Sequence, residues 1–159
     1  MMRLNNYRWH KWLWMTLTVT GSLCAGCGGP VWIFDPTFAE KLARQDNKPL
    51  LLYFKSWDST AHRNMQTQVL CNPAVSRELK DTINAQLEFA FFQDWRNRYG
   101  VKVPQVCVMC SPDGKQVGSS IYVNPVPSPD KFAEWLRGAK AEARGHAQPP
   151  PAAAPSAKK

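Results

Sequence analysis

Pro49-Leu50-Leu51-Leu52-Tyr53-Phe54-Lys55-Ser56-Trp57-Asp58-Ser59-Thr60-Ala61-His62-Arg63-Asn64-Met65 is the stretch whose reading decides the fold. Leu50 to Phe54 is nearly all apolar, the pattern of a central strand buried on both faces. Asp58-Ser59-Thr60 then supplies oxygen-bearing side chains suited to capping a helix. Ala61, Met65 and Val69 recur at helical spacing up to about Leu70. A strand therefore passes through a short turn around Trp57 straight into a helix.

Working outward, Asp35-Pro36 opens an earlier helix, with Asp35 as N-cap and Pro36 at the first helical position. Phe38, Ala39 and Leu42 give that helix one apolar face, and Asn47-Lys48-Pro49 ends it. Downstream, Cys71-Asn72-Pro73 breaks the helix that follows the turn. Another helix runs from Pro73 to about Lys80 with Val75 and Leu79 inward. Leu87 to Phe92 reads as a strand, Asp94 to Tyr99 as at most one helical turn closed by Gly100, and Gln105 to Met109 as a third strand. Ser111-Pro112-Asp113-Gly114-Lys115 has the chemistry of a hairpin turn, which predicts that Gln116 to Val123 pairs back antiparallel. Ser128-Pro129-Asp130 starts a last helix, with Phe132, Trp135 and Leu136 on one face.

The two ends have different compositions. Arg3, Arg8 and Lys11 precede a short apolar run, Trp12 to Thr20, and then small residues, the order of a secretory signal over residues 1–26. A run of nine residues is too short for a hydrocarbon core that needs about 20. Leu23-Cys24-Ala25-Gly26-Cys27 resembles a bacterial lipobox, which implies cleavage before Cys27 and lipid on its sulfur. Cys24 stands where Leu or Val is usual, and an ordinary cleaved signal or an uncleaved anchor is the alternative. Residues 27–33 then form a tether, 34–143 the folded domain, and 144–159 an Ala/Pro/Lys-rich tail that cannot bury a core.

The formal net charge of +8 falls to +5 once Arg3, Arg8 and Lys11 leave with the signal. No cluster of Arg and Lys interleaved with aromatics suggests nucleic acid. A mildly basic surface suits anionic lipid. Of five cysteines, Cys71, Cys107 and Cys110 remain if Cys24 is removed and Cys27 acylated. An odd count leaves at least one thiol outside any internal disulfide.

Several motifs together resemble secreted thioredoxin-like proteins over roughly residues 34–142. Lys48-Pro49-Leu50-Leu51-Leu52-Tyr53-Phe54 is similar to the family's central strand, and Trp57 and Met65 match the residues flanking its redox site. Tyr99-Gly100-Val101-Lys102-Val103-Pro104 matches the segment that carries its cis-proline, and Pro112-Asp113-Gly114-Lys115 its β-hairpin. The resemblance implies an α/β, three-layer sandwich in which a central mixed four-stranded sheet is flanked by helices. It also implies a groove between the Trp57 turn and Val103-Pro104 where an extended partner segment pairs with exposed backbone. If Val103–Pro104 is cis, that groove outlives any change at the turn. Residues 94–99 are shorter than the family's usual helix, which would leave one flank of the groove more open.

The departure from the family is at the turn. Counted from Trp57, the two redox cysteines would fall on Asp58 and Ala61; counted back from Met65, on Ser59 and His62. Neither register holds a cysteine. Dithiol chemistry needs a thiolate stabilised at a helix N-terminus and a resolving thiol one turn on, and Asp58 cannot exchange disulfides. Asp58, Ser59 and Thr60 read first as caps. His62, with His10 in the signal and His146 in the tail, is the histidine of the folded part. Ser59, His62 and Asp58 crowd one helical turn with no oxyanion hole, which argues against a catalytic triad. One His with one or two carboxylates is too thin for a metal site, and no cofactor is implied.

Cys107-Val108-Met109-Cys110 has Cys-x-x-Cys spacing within a strand. There, positions three apart face opposite ways, about 10 Å apart at about 3.3 Å per residue, whereas a disulfide needs Cα atoms about 4.4–6.8 Å apart. Both read as buried apolar cysteines, with a disulfide from Cys71 to either as an alternative. The expected function is a redox-inactive, membrane-anchored module of the bacterial cell envelope, facing the periplasm or exterior. It would bind or scaffold an exported or membrane protein through Trp57, Asp58, Ser59, His62, Val103 and Pro104. A thiol-disulfide oxidoreductase using Cys71 with Cys107 or Cys110, and a structural subunit of a membrane assembly, are the alternatives.

Overall fold

The computed structural model describes residues 30–146. The signal segment, Cys24, Cys27 and the tail beyond His146 lie outside the described residues. Helix α1 (Pro36–Asp46) is capped by Asp35, whose carboxylate accepts from the Thr37 and Phe38 backbone N–H groups, and it ends at Asn47 in the left-handed conformation. Strand β1 (Leu50–Lys55) follows, buried along its whole length. Helix α2 (Thr60–Asn64) then runs without a break into a π-helical turn, Met65–Leu70. Helix α3 (Pro73–Leu79) is capped by Asn72, again with Pro at the first turn. Strand β2 (Ile83–Glu88), helix α4 (Gln93–Arg98), strands β3 (Val106–Cys110) and β4 (Gln116–Tyr122), and helix α5 (Pro129–Gly145) complete the order.

The sheet order is β2-β1-β3-β4, with β1 parallel to β2 and antiparallel to β3, and β3 antiparallel to β4. Strand pleating sends alternate residues to opposite faces, and two cores result. Leu51, Tyr53, Cys107 and Met109 face Met65 and Val69 of the π-turn, Leu79 of α3, and Phe132 and Leu136 of α5. Leu50, Leu52, Phe54, Leu87, Val106, Val108 and Cys110 face Ala39 and Ala43 of α1, and Tyr99. The molecule is a three-layer α/β sandwich around a mixed four-stranded sheet, as the sequence implied.

Three local expectations fail for identifiable reasons. The strand expected at Leu87–Phe92 is Ile83–Glu88. Its buried Asn84 is satisfied by the Thr82 hydroxyl and the Leu79 carbonyl, so a polar-looking segment takes the sheet position. Phe91 instead bonds back to the Glu88 carbonyl in a turn. Phe38 is exposed, because α1 lies on the sheet through Ala39 and Ala43. Trp32 and Ile33, assigned to the tether, belong to the packed structure. Ile33 pairs with β2 through Ile33 N–H to Asn84 O and Gln86 N–H to Ile33 O, both 2.9 Å, and Trp32 packs on Tyr53.

Candidate functional site: the turn at the carboxyl end of β1

Lys55 and Glu88 are paired at the carboxyl ends of β1 and β2. Trp57 lies just beyond Lys55, Phe91 just beyond Glu88, and Val103-Pro104 just before β3. Three exposed apolar side chains thus sit at one end of the sheet: Trp57 (56% exposed), Phe91 (78%) and Val103. Carboxyl ends of strands are where open α/β sheets bind ligands.

Ser59 is the N-cap of α2, its Oγ accepting from the His62 N–H at 3.4 Å. Asp58 is exposed and makes no hydrogen bond among the described residues. No triad forms: the His62 ring turns inward to Tyr53 instead of toward Asp58 or Ser59.

Beneath the turn lies a polar cluster inside the core. The Tyr53 hydroxyl donates to Gln105 Oε1 at 2.7 Å and lies 3.3 Å from His62 Nδ1. With the Tyr53 proton on Gln105, the imidazole proton on Nδ1 completes the set. Gln105 Nε2 donates to the Ser56 carbonyl at 3.4 Å, tying the loop before β3 to the turn. Gln105 reaches this position with a left-handed backbone, φ 66°. Burial, and next the charge of Lys55, hold the His62 imidazole below its ordinary value of 6.5. Burial also raises the Tyr53 phenol, so it stays a neutral donor.

Lys55 is the unexpected member. It is 1% exposed, and its Nζ has no hydrogen-bond partner. The Trp57 indole covers it, with Nζ 2.9 Å from a ring centroid. Burial lowers its pKa, partly opposed by the nearby Glu88 carboxylate. That carboxylate is itself engaged, accepting the Trp57 backbone N–H at 3.1 Å.

Of the residues singled out in the sequence, the structure gathers Trp57, Ser59 and His62 at one turn and brings the Val103–Pro104 loop beside them through Gln105. Val103–Pro104 is trans; the cis peptide bond among the described residues is Asn124–Pro125. The Lys102 and Val103 backbone groups make no hydrogen bonds among the described residues. Sequence reading missed Tyr53, Lys55 and Gln105 as site residues. Their signal was weak: Tyr53 and Lys55 are two apart in one strand and therefore share a face.

All three described cysteines are free thiols. Cys71 is exposed, whereas Cys107 and Cys110, its alternative disulfide partners, are buried. Cys107 and Cys110 are buried in opposite cores, on the two faces of β3. Burial raises both thiols, Cys110 to about 12 and Cys107 further.

No family model matches the chain, and a search of curated proteins finds no match. Solved structures do resemble it. It is similar to a DsbH oxidoreductase at 18% identity and TM-score 0.61, covering 72% of this chain and 87% of that one. A thioredoxin from Thermus thermophilus shares 25% identity at TM-score 0.59, over 69% of this chain and 86% of that one. The C-terminal domain of DsbD from Neisseria meningitidis, in its oxidised form, shares 18% at TM-score 0.56, over 68% and 98%. The chain has a thioredoxin-like fold.

Proposed function

We propose that this protein is a redox-inactive thioredoxin-like binding module, held at a bacterial membrane by lipid on Cys27. In this reading, its groove takes an extended segment of another exported protein. One observation carries it. The turn that would hold a redox pair keeps an exposed tryptophan and an unpaired backbone beside it, but has no thiol. In this reading the groove needs no cis-proline, because Gln105 ties the loop before β3 to Tyr53 and Ser56. Large aromatic side chains at the centre of an interface supply much of its energy, and the free backbone of Lys102 and Val103 suits strand-like pairing.

The test is gentle detergent extraction from the native envelope, comparing partner recovery by wild type and Trp57→Ala. Loss of a specific partner with an unchanged melting temperature supports the groove; equal recovery removes Trp57 from it. A second reading, thiol oxidoreductase, is favoured by the exposed Cys71 and by the likeness to a DsbH oxidoreductase. Alkylation of mature protein with and without reductant separates the two. Thiols that never change state argue for binding, whereas a cycling Cys71 whose replacement by Ser abolishes reductase activity would overturn it.

A further inference from the structure

Building on the groove reading, we propose that Trp57 is a movable lid over the Lys55 amine, and that the docking segment presents a carboxylate which displaces the indole and pairs with Lys55. An ammonium taken out of water without a hydrogen bond is strongly disfavoured. Every other polar side chain of the cluster is committed: Tyr53 to Gln105, Gln105 to Ser56, His62 to Tyr53, and Glu88 to the Trp57 backbone. Lys55 Nζ alone has only an aromatic face, which stabilises a cation less than an ionic hydrogen bond does.

The layer between that amine and solvent is the Trp57 ring, itself more than half exposed. The Glu88 bond holds the Trp57 backbone, so a change of side-chain rotamer uncovers the amine without unfolding the turn. His62, edge-on to the indole at 6.1 Å between ring centroids, forms the wall the ring leaves. An incoming carboxylate supplies acceptors for the Lys55 protons. The same pairing offsets the burial that depresses the amine. The chemistry recognised is a peptide carboxylate, either the terminal one or that of an Asp or Glu side group.

Two measurements on the detergent-solubilised full-length protein test this. The first is Lys55 acetylation by acetic anhydride, followed by peptide mass mapping with exposed Lys102 as internal reference. Lys55 should react at least about tenfold slower than Lys102 in wild type and approach it in Trp57→Ala; a Lys55 still protected in Trp57→Ala sinks the lid. The second is titration of wild type with the peptide acetyl-Val-Thr-Val-Ser-Gly as free acid, as C-terminal amide, and as an amide ending in Asp. Free acid binding about tenfold tighter than amide assigns a terminal carboxylate, and the Asp amide doing so assigns a side-group carboxylate. Lys55→Met, checked for an unchanged melting transition, should erase either preference. Equal affinity for all three peptides, or binding by none, overturns the carboxylate. Native partner recovery that still depends on Trp57 would then leave the groove standing without it.

Discussion

Two lysines are buried in this domain, and they are handled in opposite ways. Lys140, 5% exposed on α5, donates to the Glu78 carbonyl at 2.8 Å and to the Glu78 carboxylate at 2.6 Å, with Asp81 at 4.0 Å. Lys55 is more deeply buried and has an indole ring but no acceptor. Lys140 joins α3 to α5 and is satisfied in full, as a structural charge must be. Lys55 stands at the carboxyl end of β1 with no acceptor for its protons among the described residues. The contrast separates a brace from a binding group better than burial or charge alone.

Replacing each lysine by methionine is the most direct way to break that comparison. Lys140→Met keeps the volume but removes both hydrogen bonds to Glu78 and leaves its carboxylate only Arg137 at 3.5 Å, and should destabilise by about 1.5–3 kcal/mol in denaturant unfolding. A loss below about 0.5 kcal/mol would mean that the pair is an ordinary surface contact.

Within the Lys55 cluster, Tyr53→Phe leaves buried Gln105 and His62 atoms without a partner. It should cost about 1–2 kcal/mol by the same assay; a neutral result would show that the cluster is not a single network.

The acid limb sharpens the contrast. The hydrogen bond from Lys140 holds the Glu78 carboxyl below its ordinary 4.5. Its contribution is therefore complete above pH 4.5 and lost as pH falls through the lowered folded value. Stability of wild type should decline more steeply below pH 4.5 than that of Lys140→Met, and parallel curves would dissolve the linkage.

Lys55→Met should have the smallest effect on folding, within about 1 kcal/mol of wild type and of either sign, because an apolar side chain suits an unpaired buried position. Its readable signature is at His62. Burial, then Lys55, keep that imidazole below 6.5, so removing Lys55 should move its NMR midpoint up but not past 6.5. An unmoved midpoint would place Lys55 outside the cluster.

Much of the fold was legible because the signals were local. Asp35 and Ser128 cap their helices, Pro stands in the first turn of α1, α3 and α5, and Gly114 turns the hairpin at φ 82°. Strand alternation also put Cys107 and Cys110 on opposite faces, as observed. The position of β2 was not legible, because a run of Phe outweighed a segment whose buried Asn84 needs partners from Thr82 and Leu79. For the site, the turn and Ser59 were readable, while Lys55 and Gln105 were not.

The sequence by itself determined the order of elements, the helix caps, the hairpin and the missing thiols at the Trp57 turn, since each follows from residues that are near neighbours in it. Tertiary structure decided that Ile33 joins β2, that Val103–Pro104 is trans, and that Gln105 reaches back to Tyr53 and Ser56. It also decided which lysine found an acceptor. Whether a buried polar group is satisfied depends on side chains brought from distant segments, as Glu78 is to Lys140 and as no hydrogen-bond acceptor among the described residues is to Lys55.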